Sequence, residues 1–320
     1  MRQAGRYLSE YRAIRKKVPF LTMCKTPDLA AEVTLQPIKR IGVDAAIIFA
    51  DILLPLEPMG IKLEFSQGEG PIIYNPIGKE EDIEGLRVIE PEEDVPFVLA
   101  AIKKVVKELN GKIPLIGFAG GPFTLASYCI EGGHSQNFLK TKKFMYAGST
   151  SWHLFMEKLS EVVIRYLNAQ IASGAQAVQV FDSWVGCLSP HDYTQFVLPH
   201  VQKVFQGIKH GVPAIHFATG ASALLELMHA AGGDIIGIDW RIDLGYAWKR
   251  LGYKVGIQGN LDPVTLFAPV SMVKERVKAI LKSAKNRPGH IFNLGHGILP
   301  QTPLKNVVAL IKMVHDFSKR

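Results

Sequence analysis

Cysteine is scarce in this chain of 320 residues: Cys24, Cys129 and Cys187 lie far apart, and no Cys-x-x-Cys pair occurs. That spacing speaks against a disulfide framework or a cysteine-rich zinc site and suits a reducing, cytoplasmic compartment. Long apolar runs are missing too. The most apolar stretch, Val43 to Met59, is interrupted by Asp44, Asp51, Pro55 and Glu57. The N-terminus carries Arg2, Arg6, Arg12 and Arg15 without an apolar run of signal-peptide length. Neither a secretion signal nor a membrane span is expected. His-Glu-x-x-His does not occur, and His210 and His216 lack a third ligand at suitable spacing, so no metal is expected. Gly-x-Ser-x-Gly is absent, which removes the usual nucleophile elbow. The one glycine-rich turn, Gly117-Phe118-Ala119-Gly120-Gly121-Pro122, matches neither nucleotide fingerprint and is expected to be a tight strand-to-helix turn.

Acidic residues are the minority: 29 Asp and Glu stand against 37 Lys and Arg, a formal charge of +8. The excess favours acidic ligands. The basic residues come in short groups, Arg15-Lys16-Lys17 and Lys140, Lys142 and Lys143, with no interleaved aromatics and no nucleic-acid motif, so no nucleic acid is expected as a partner.

What the chain does have is alternation. Short apolar runs of strand length, at Ala45–Ala50, Pro114–Phe118, Ala177–Phe181, Ala214–Phe217, Ile235–Ile238, Val255–Ile257 and His290–Leu294, read as buried parallel strands. Between them, helical spacing predicts Pro27–Ile41, Val95–Leu109, Phe144–Ala172, His191–Ile208, Ala221–Ala231, Val270–Ser283 and Leu304–Phe317, with Thr26 as the cap of the first. Leu54 to Asp94 is an excursion rich in Gly, Pro and charge. Repeated βα units in one domain predict a (β/α)8 barrel of the TIM type, with the first strand truncated at the N-terminus. An open doubly wound sheet is the alternative, although it would normally carry a phosphate-binding glycine loop after an early strand.

Chemistry on such a barrel sits at the carboxyl ends of the strands, and polar residues follow the apolar runs there: Asp51, Asp182, Ser183, Asp239, Asn260 and His296, with His216 inside its run. Asp51 stands between Ile47–Ala50 and Ile52–Leu54, where an unpaired carboxylate costs several kcal/mol and must find donors or a cation. It is either a site residue or a structural carboxylate. Asp262, just before Pro263, reads as a helix cap. Tyr128 is a core aromatic or a site hydroxyl, and His296, between Gly295 and Gly297, suits a mobile loop. Near the start, Arg2-Gln3-Ala4-Gly5-Arg6 holds two arginines four apart with no acidic neighbour. Either they form a solvated helix face, or their planar donor forks bind an acidic small molecule.

Met1-Arg2-Gln3-Ala4-Gly5-Arg6-Tyr7-Leu8 and Gly117-Phe118-Ala119-Gly120-Gly121-Pro122-Phe123-Thr124-Leu125 resemble two signatures of the uroporphyrinogen decarboxylase family. Ile48–Leu53, Gln179–Ser183 and Asn293–Ile298 are similar to it as well. Ser9 stands where that family usually has proline, and the residues that normally precede Met1 are absent. The resemblance implies a homodimeric barrel that needs no cofactor or metal and removes the acetate carboxyl groups of uroporphyrinogen III to give coproporphyrinogen III. By matching positions, it implies that Arg2, Gln3, Ala4, Gly5 and Arg6 bind substrate carboxylates, with Arg15 a weaker addition. Asp51 and Arg2 become the catalytic groups, and Tyr128, Ser183 and His296 line the substrate. A corrinoid-linked methyltransferase on the same barrel would need a His-x-Cys zinc pair, whereas His216-Phe217-Ala218 has alanine in the cysteine's place. A non-catalytic tetrapyrrole carrier is the remaining alternative.

Overall fold

The computed structural model describes residues 3–66, 70–147 and 149–318. The strands are β1 (Ala46–Ile47), β2 (Leu63–Ser66), β3 (Gly70–Ile73), β4 (Leu115–Gly120), β5 (Ala177–Asp182), β6 (Ala214–Ala218), β7 (Ile235–Gly237), β8 (Gly256–Leu261) and β9 (His290–Leu294). Seven of them form one parallel sheet in the order β1-β4-β5-β6-β7-β8-β9. These are the seven runs expected from apolar composition. Val178, Val180, Ile236 and Ile257 are completely buried, as strands covered on both faces require. The excursion between Leu54 and Asp94 holds an antiparallel hairpin, β2 with β3, that its polar, glycine-bearing sequence did not announce.

The sheet curls. Gln258 Nε2 on β8 donates to Gln179 Oε1 on β5 at 3.3 Å, although β6 and β7 lie between them. In a flat sheet, strands three positions apart are separated by about 14 Å. The two amides therefore meet across an enclosed interior, and the seven strands make a half-barrel. Among the described residues β9 and β1 are its two edges, so the closed eight-strand ring is not reached there.

The outer edge of β1 is met by a side chain. Gln3 donates through Nε2 to the Ala45 carbonyl at 2.7 Å and accepts the Ile47 N–H on Oε1 at 3.0 Å. One carboxamide thus supplies the donor and acceptor that a neighbouring strand would, and satisfies two otherwise orphaned backbone groups. Beneath it Ala4, Tyr7, Leu8 and Tyr11 pack with Val33, Leu261, Val277 and Leu310 in an apolar cluster separate from the main one.

Helices cover the outside of the sheet. Pro27–Ile41 has the expected bounds, but the Thr26 hydroxyl bonds back to the Thr22 carbonyl rather than capping the helix. Where one helix was expected over Phe144–Ala172 there are two, Leu139–Ala147, which starts before that range, and Ser149–Ala172. His191–Ile208 divides into Pro190–Phe196 and Leu198–Gly207. Pro199 lacks the N–H that would continue the first helix, and it fits the first turn of the second, where that N–H has no partner to lose. Pro122–Glu131 follows β4 directly, and of its first nine side chains all eight besides Tyr128's are buried, so it shows no polar face to betray its period.

Candidate functional site

Asp51, Ser183, Asp239, Asn260 and His296 all lie at or just beyond the carboxyl ends of the parallel strands, as the βα repeat demands. Asp51, half-buried, follows β1, and its Oδ1 accepts the Leu53 N–H at 2.9 Å. Its charge raises the pKa of two buried neighbours: the Cys24 thiol, after the larger effect of burial, and the Tyr166 phenol, after the larger effects of burial and of Cys24. A carboxylate felt by groups on two separate helices, and still partly open to solvent, sits at a junction of the core with the mouth.

The glycine motif closes the next sector. β4 runs to Gly120, Gly121 turns, and Pro122 opens the helix, so the expected strand-to-helix turn is what the fold contains. Gly121 donates its N–H to the Phe181 carbonyl at 2.8 Å, and a Cβ there would lie 2.6 Å from the Asp182 carboxyl carbon. Close packing of two strand ends requires that glycine. Asp182 is completely buried, and burial pushes its carboxyl up to about 7, against the opposing pull of Thr124. The Thr124 hydroxyl donates to Asp182 Oδ1 at 3.1 Å, while Oδ2 is buried without a hydrogen-bond partner.

Ser183 and Tyr128 are brought together through Trp184. Tyr128, on Pro122–Glu131, packs its ring 4.0 Å from the Trp184 ring at 32°. Phe138 and His134 close in at 5.1 and 6.1 Å. Cys187, on the same loop, has its thiol pushed up to about 11 by burial.

Further round, each loop is fastened to the next. Gly186 lies so close to the Thr219 carbonyl that no side chain fits between them. Asp239, at the end of β7, accepts the Gly220 N–H at 2.7 Å and the Arg241 N–H at 3.0 Å, and pairs with the Arg241 guanidinium. Asn260 donates to the Asp239 and Ile242 carbonyls at 2.9 and 2.6 Å. Gly295 donates to the Leu261 carbonyl at 2.7 Å. His296, exposed, meets Trp240 edge-on at 6.4 Å, and Arg241 lies over the other ring of that contact at 4.1 Å. Asp262 caps the turn after β8 by accepting the Val264 N–H at 2.9 Å.

The N-terminal motif is divided. Arg2 lies outside the described residues. Gln3 clasps β1, Ala4 and Gly5 are buried, and Arg6 is exposed, its carbonyl accepting from Arg12 at 2.8 Å. Among the described residues no carboxylate forms an ion pair with Arg6. Arg15 bonds the Val18 carbonyl at 3.1 Å. His216 does not open to the mouth: it is fully buried, its Nδ1 lies 3.2 Å from the Met228 carbonyl, and burial pushes its pKa down to about 4. Among the described residues no group of three or more His, Cys, Asp and Glu side chains is placed to hold a metal ion. No described helix is long and apolar enough to cross a membrane.

Polar side chains ringing the carboxyl ends of a curled parallel sheet define a member of the barrel-like α/β class, with a mouth furnished for a small ligand. Among solved structures, a methyltransferase from Methanosarcina mazei superposes with a TM-score of 0.79 at 23% identity, covering 92% of this chain and 87% of that one, a likeness that speaks to the fold alone. The chain belongs to the uroporphyrinogen decarboxylase (URO-D) family, whose pattern it matches over residues 1–317. It is 59% identical over 319 residues to a uroporphyrinogen decarboxylase from Carboxydothermus hydrogenoformans, covering 99% of this chain and 91% of that one. A uroporphyrinogen decarboxylase from Sorangium cellulosum is 56% identical over 320 residues, covering 100% and 91%.

Proposed function

We propose that this protein is a carboxy-lyase that converts the four acetate side chains of uroporphyrinogen III to methyl groups, giving coproporphyrinogen III and carbon dioxide. The observation that carries this reading is the 59% identity to a uroporphyrinogen decarboxylase across nearly the whole chain.

An acetate on a pyrrole loses carbon dioxide when the ring can take up the electron pair, and protonating a ring carbon makes the ring that electron sink. The cation so formed needs a fixed anion. In this reading Asp51 accepts the pyrrole N–H groups and stabilises the charge as it develops, an interaction stronger in the transition state than with the neutral ring. Its position between core and mouth supports the role, because a partly desolvated carboxylate acts more strongly than one in bulk water. Arg2 and Arg6, with Gln3, Ala4 and Gly5 alongside, hold the substrate's carboxylates and fix which acetate faces Asp51. The exposed Arg6 guanidinium supports that assignment, as a cation with no ion pair to a carboxylate among the described residues is available to a polyacid. Tyr128, Ser183 and His296 line the remaining arc.

The same reading takes the protein as a cytoplasmic homodimer, a single barrel domain over residues 1–320 whose ring has eight strands, and one that uses neither cofactor nor metal. Exposed Val264, Phe267, Val270 and Met272, clustered within one short stretch, supply apolar surface for the dimer. Anaerobic incubation with uroporphyrinogen III, followed by oxidation and separation by carboxyl number, is expected to give a ladder descending from eight carboxyls to four. Substrate recovered unaltered after long incubation, yet bound, would make the protein a carrier instead.

A further inference from the structure

We propose that Thr124 is a positioning residue that sets Ser183 and Tyr128 as a pair for the polyacidic substrate. The inference rests on the reading of those two hydroxyls as substrate-lining groups and deepens it.

Thr124 is completely buried, so its own hydroxyl does not face the mouth. It nevertheless touches both residues that flank Ser183. It donates to Asp182 Oδ1 at 3.1 Å and accepts the Trp184 N–H at 3.3 Å. With the residue before and the residue after held by one oxygen, the Ser183 backbone is fixed, and its side chain keeps only rotation about χ1.

Tyr128 comes one helical turn after Thr124 on Pro122–Glu131, so the two side chains project from the same face. That face meets the Ser183 turn twice: Thr124 by hydrogen bonds, and Tyr128 by its ring against Trp184 at 4.0 Å. These contacts join the same two rigid elements, Thr124 with Asp182 before the serine and both Thr124 and Tyr128 with Trp184 after it, and so set the spacing and direction of the Ser183 and Tyr128 hydroxyls together.

The arrangement carries a cost that a purely structural cap would avoid. Asp182 Oδ2 has no hydrogen-bond partner although it is buried, and burial raises the carboxyl to about 7. An unsatisfied buried acceptor is destabilising. Retaining a carboxyl group there is understandable if it orients the Thr124 hydroxyl, because Oδ1 accepts whether or not Oδ2 carries a proton, which draws the O–H toward Oδ1 and turns a lone pair toward the Trp184 N–H.

The test compares steady-state turnover of uroporphyrinogen III by the full chain carrying Thr124→Val, Thr124→Ser, the pair Ser183→Ala with Tyr128→Phe, and that pair combined with Thr124→Val. Thr124→Val is expected to lower kcat/KM about tenfold and to raise the share of partly decarboxylated porphyrins released. Thr124→Ser, which keeps the hydroxyl, is expected to stay within about twofold of the parent. Added to the Ser183/Tyr128 pair, Thr124→Val is expected to cost less than about a further twofold, because residues acting through one another are not additive. A full tenfold further loss in that background, failure of Thr124→Ser to restore activity, or parental kinetics of Thr124→Val overturns the inference. If Thr124→Val does not fold, Thr124→Cys keeps the volume with a weaker donor and carries the same three criteria. Should Ser183→Ala with Tyr128→Phe leave kcat/KM unchanged, the substrate-lining reading itself has failed.

Discussion

From β4 round to β9, the strand-end loops are tied to their neighbours by hydrogen bonds from Gly121 to Phe181, Gly220 to Asp239, Asn260 to Asp239 and Gly295 to Leu261, and by the close packing of Gly186 on the Thr219 carbonyl. Between β9 and β1 the join is of another kind. There the Gln3 carboxamide meets the edge of β1, and Ala4, Tyr7 and Leu8 pack in a second apolar cluster. The first arc presents hydroxyls and an imidazole, whose roles depend on direction. The second presents the Arg6 guanidinium, and a guanidinium attracts carboxylates over several ångströms and tolerates looser placement. Rigidity is concentrated where the proposed chemistry is directional.

The largest expected effect falls at the junction of the two regions. Asp51→Asn keeps an oxygen for the Leu53 N–H and removes the charge, so folding should persist while kcat drops by about a thousandfold. Near-parental turnover with an unchanged urea midpoint would remove the electrostatic role of Asp51. Next is the fastened arc. Gly121→Ala puts a Cβ 2.6 Å from the Asp182 carboxyl carbon and is expected to cost about 3 kcal/mol of stability by denaturant titration. A loss below about 0.5 kcal/mol would mean the arc yields easily and is not the rigid side.

Gln3→Leu tests the other region. It strips the Ala45 carbonyl and the Ile47 N–H of their partner and should cost about 2 kcal/mol, with faster amide exchange at Ile47 than in β5. Unchanged protection at Ile47 would show that the carboxamide is not what holds that edge.

The most gradual effect concerns pH. Asp182 is pushed up to about 7, so the folded protein keeps a proton that the unfolded chain releases near the ordinary aspartate value of about 4. Its contribution to stability is therefore full below about pH 4 and declines as pH rises toward 7. His216 and His200, both pushed down to about 4 by burial, act oppositely: their stabilisation is present above about pH 6.5 and lost as pH falls. Comparing the parent with Asp182→Asn cancels the histidines. The difference should change by up to about 1 kcal/mol per pH unit between pH 4 and 7, and parallel curves would show that Asp182 titrates normally.

Much of this architecture was legible along the chain. The seven parallel strands were, because burial on both faces makes them continuously apolar, and so was Pro27–Ile41, whose buried Ala30, Val33, Thr34, Pro37 and Ile41 recur at helical spacing. Pro122–Glu131 was not, since a helix buried nearly all round has no periodic contrast. The hairpin of β2 and β3 was hidden too, in a polar stretch, with Ile73 of β3 donating to the Gly132 carbonyl beyond the hairpin. Of the site, Asp51, Ser183 and His296 could be picked out as polar residues following apolar runs. Thr124 could not: its four-residue spacing from Tyr128 was the only local sign, and its partners lie about sixty positions away.

Sequence alone determined which segments become strands, that polar groups gather at their carboxyl ends, and the family to which the chain belongs, because periodicity and motif spacing are local properties of the covalent chain. Tertiary structure decided that one threonine holds both neighbours of Ser183, that His216 is sealed away from the mouth, and that a glutamine side chain meets the edge of β1. Those outcomes depend on which surfaces meet when the sheet curls, and contact between residues remote in the chain is not encoded in either one's neighbours.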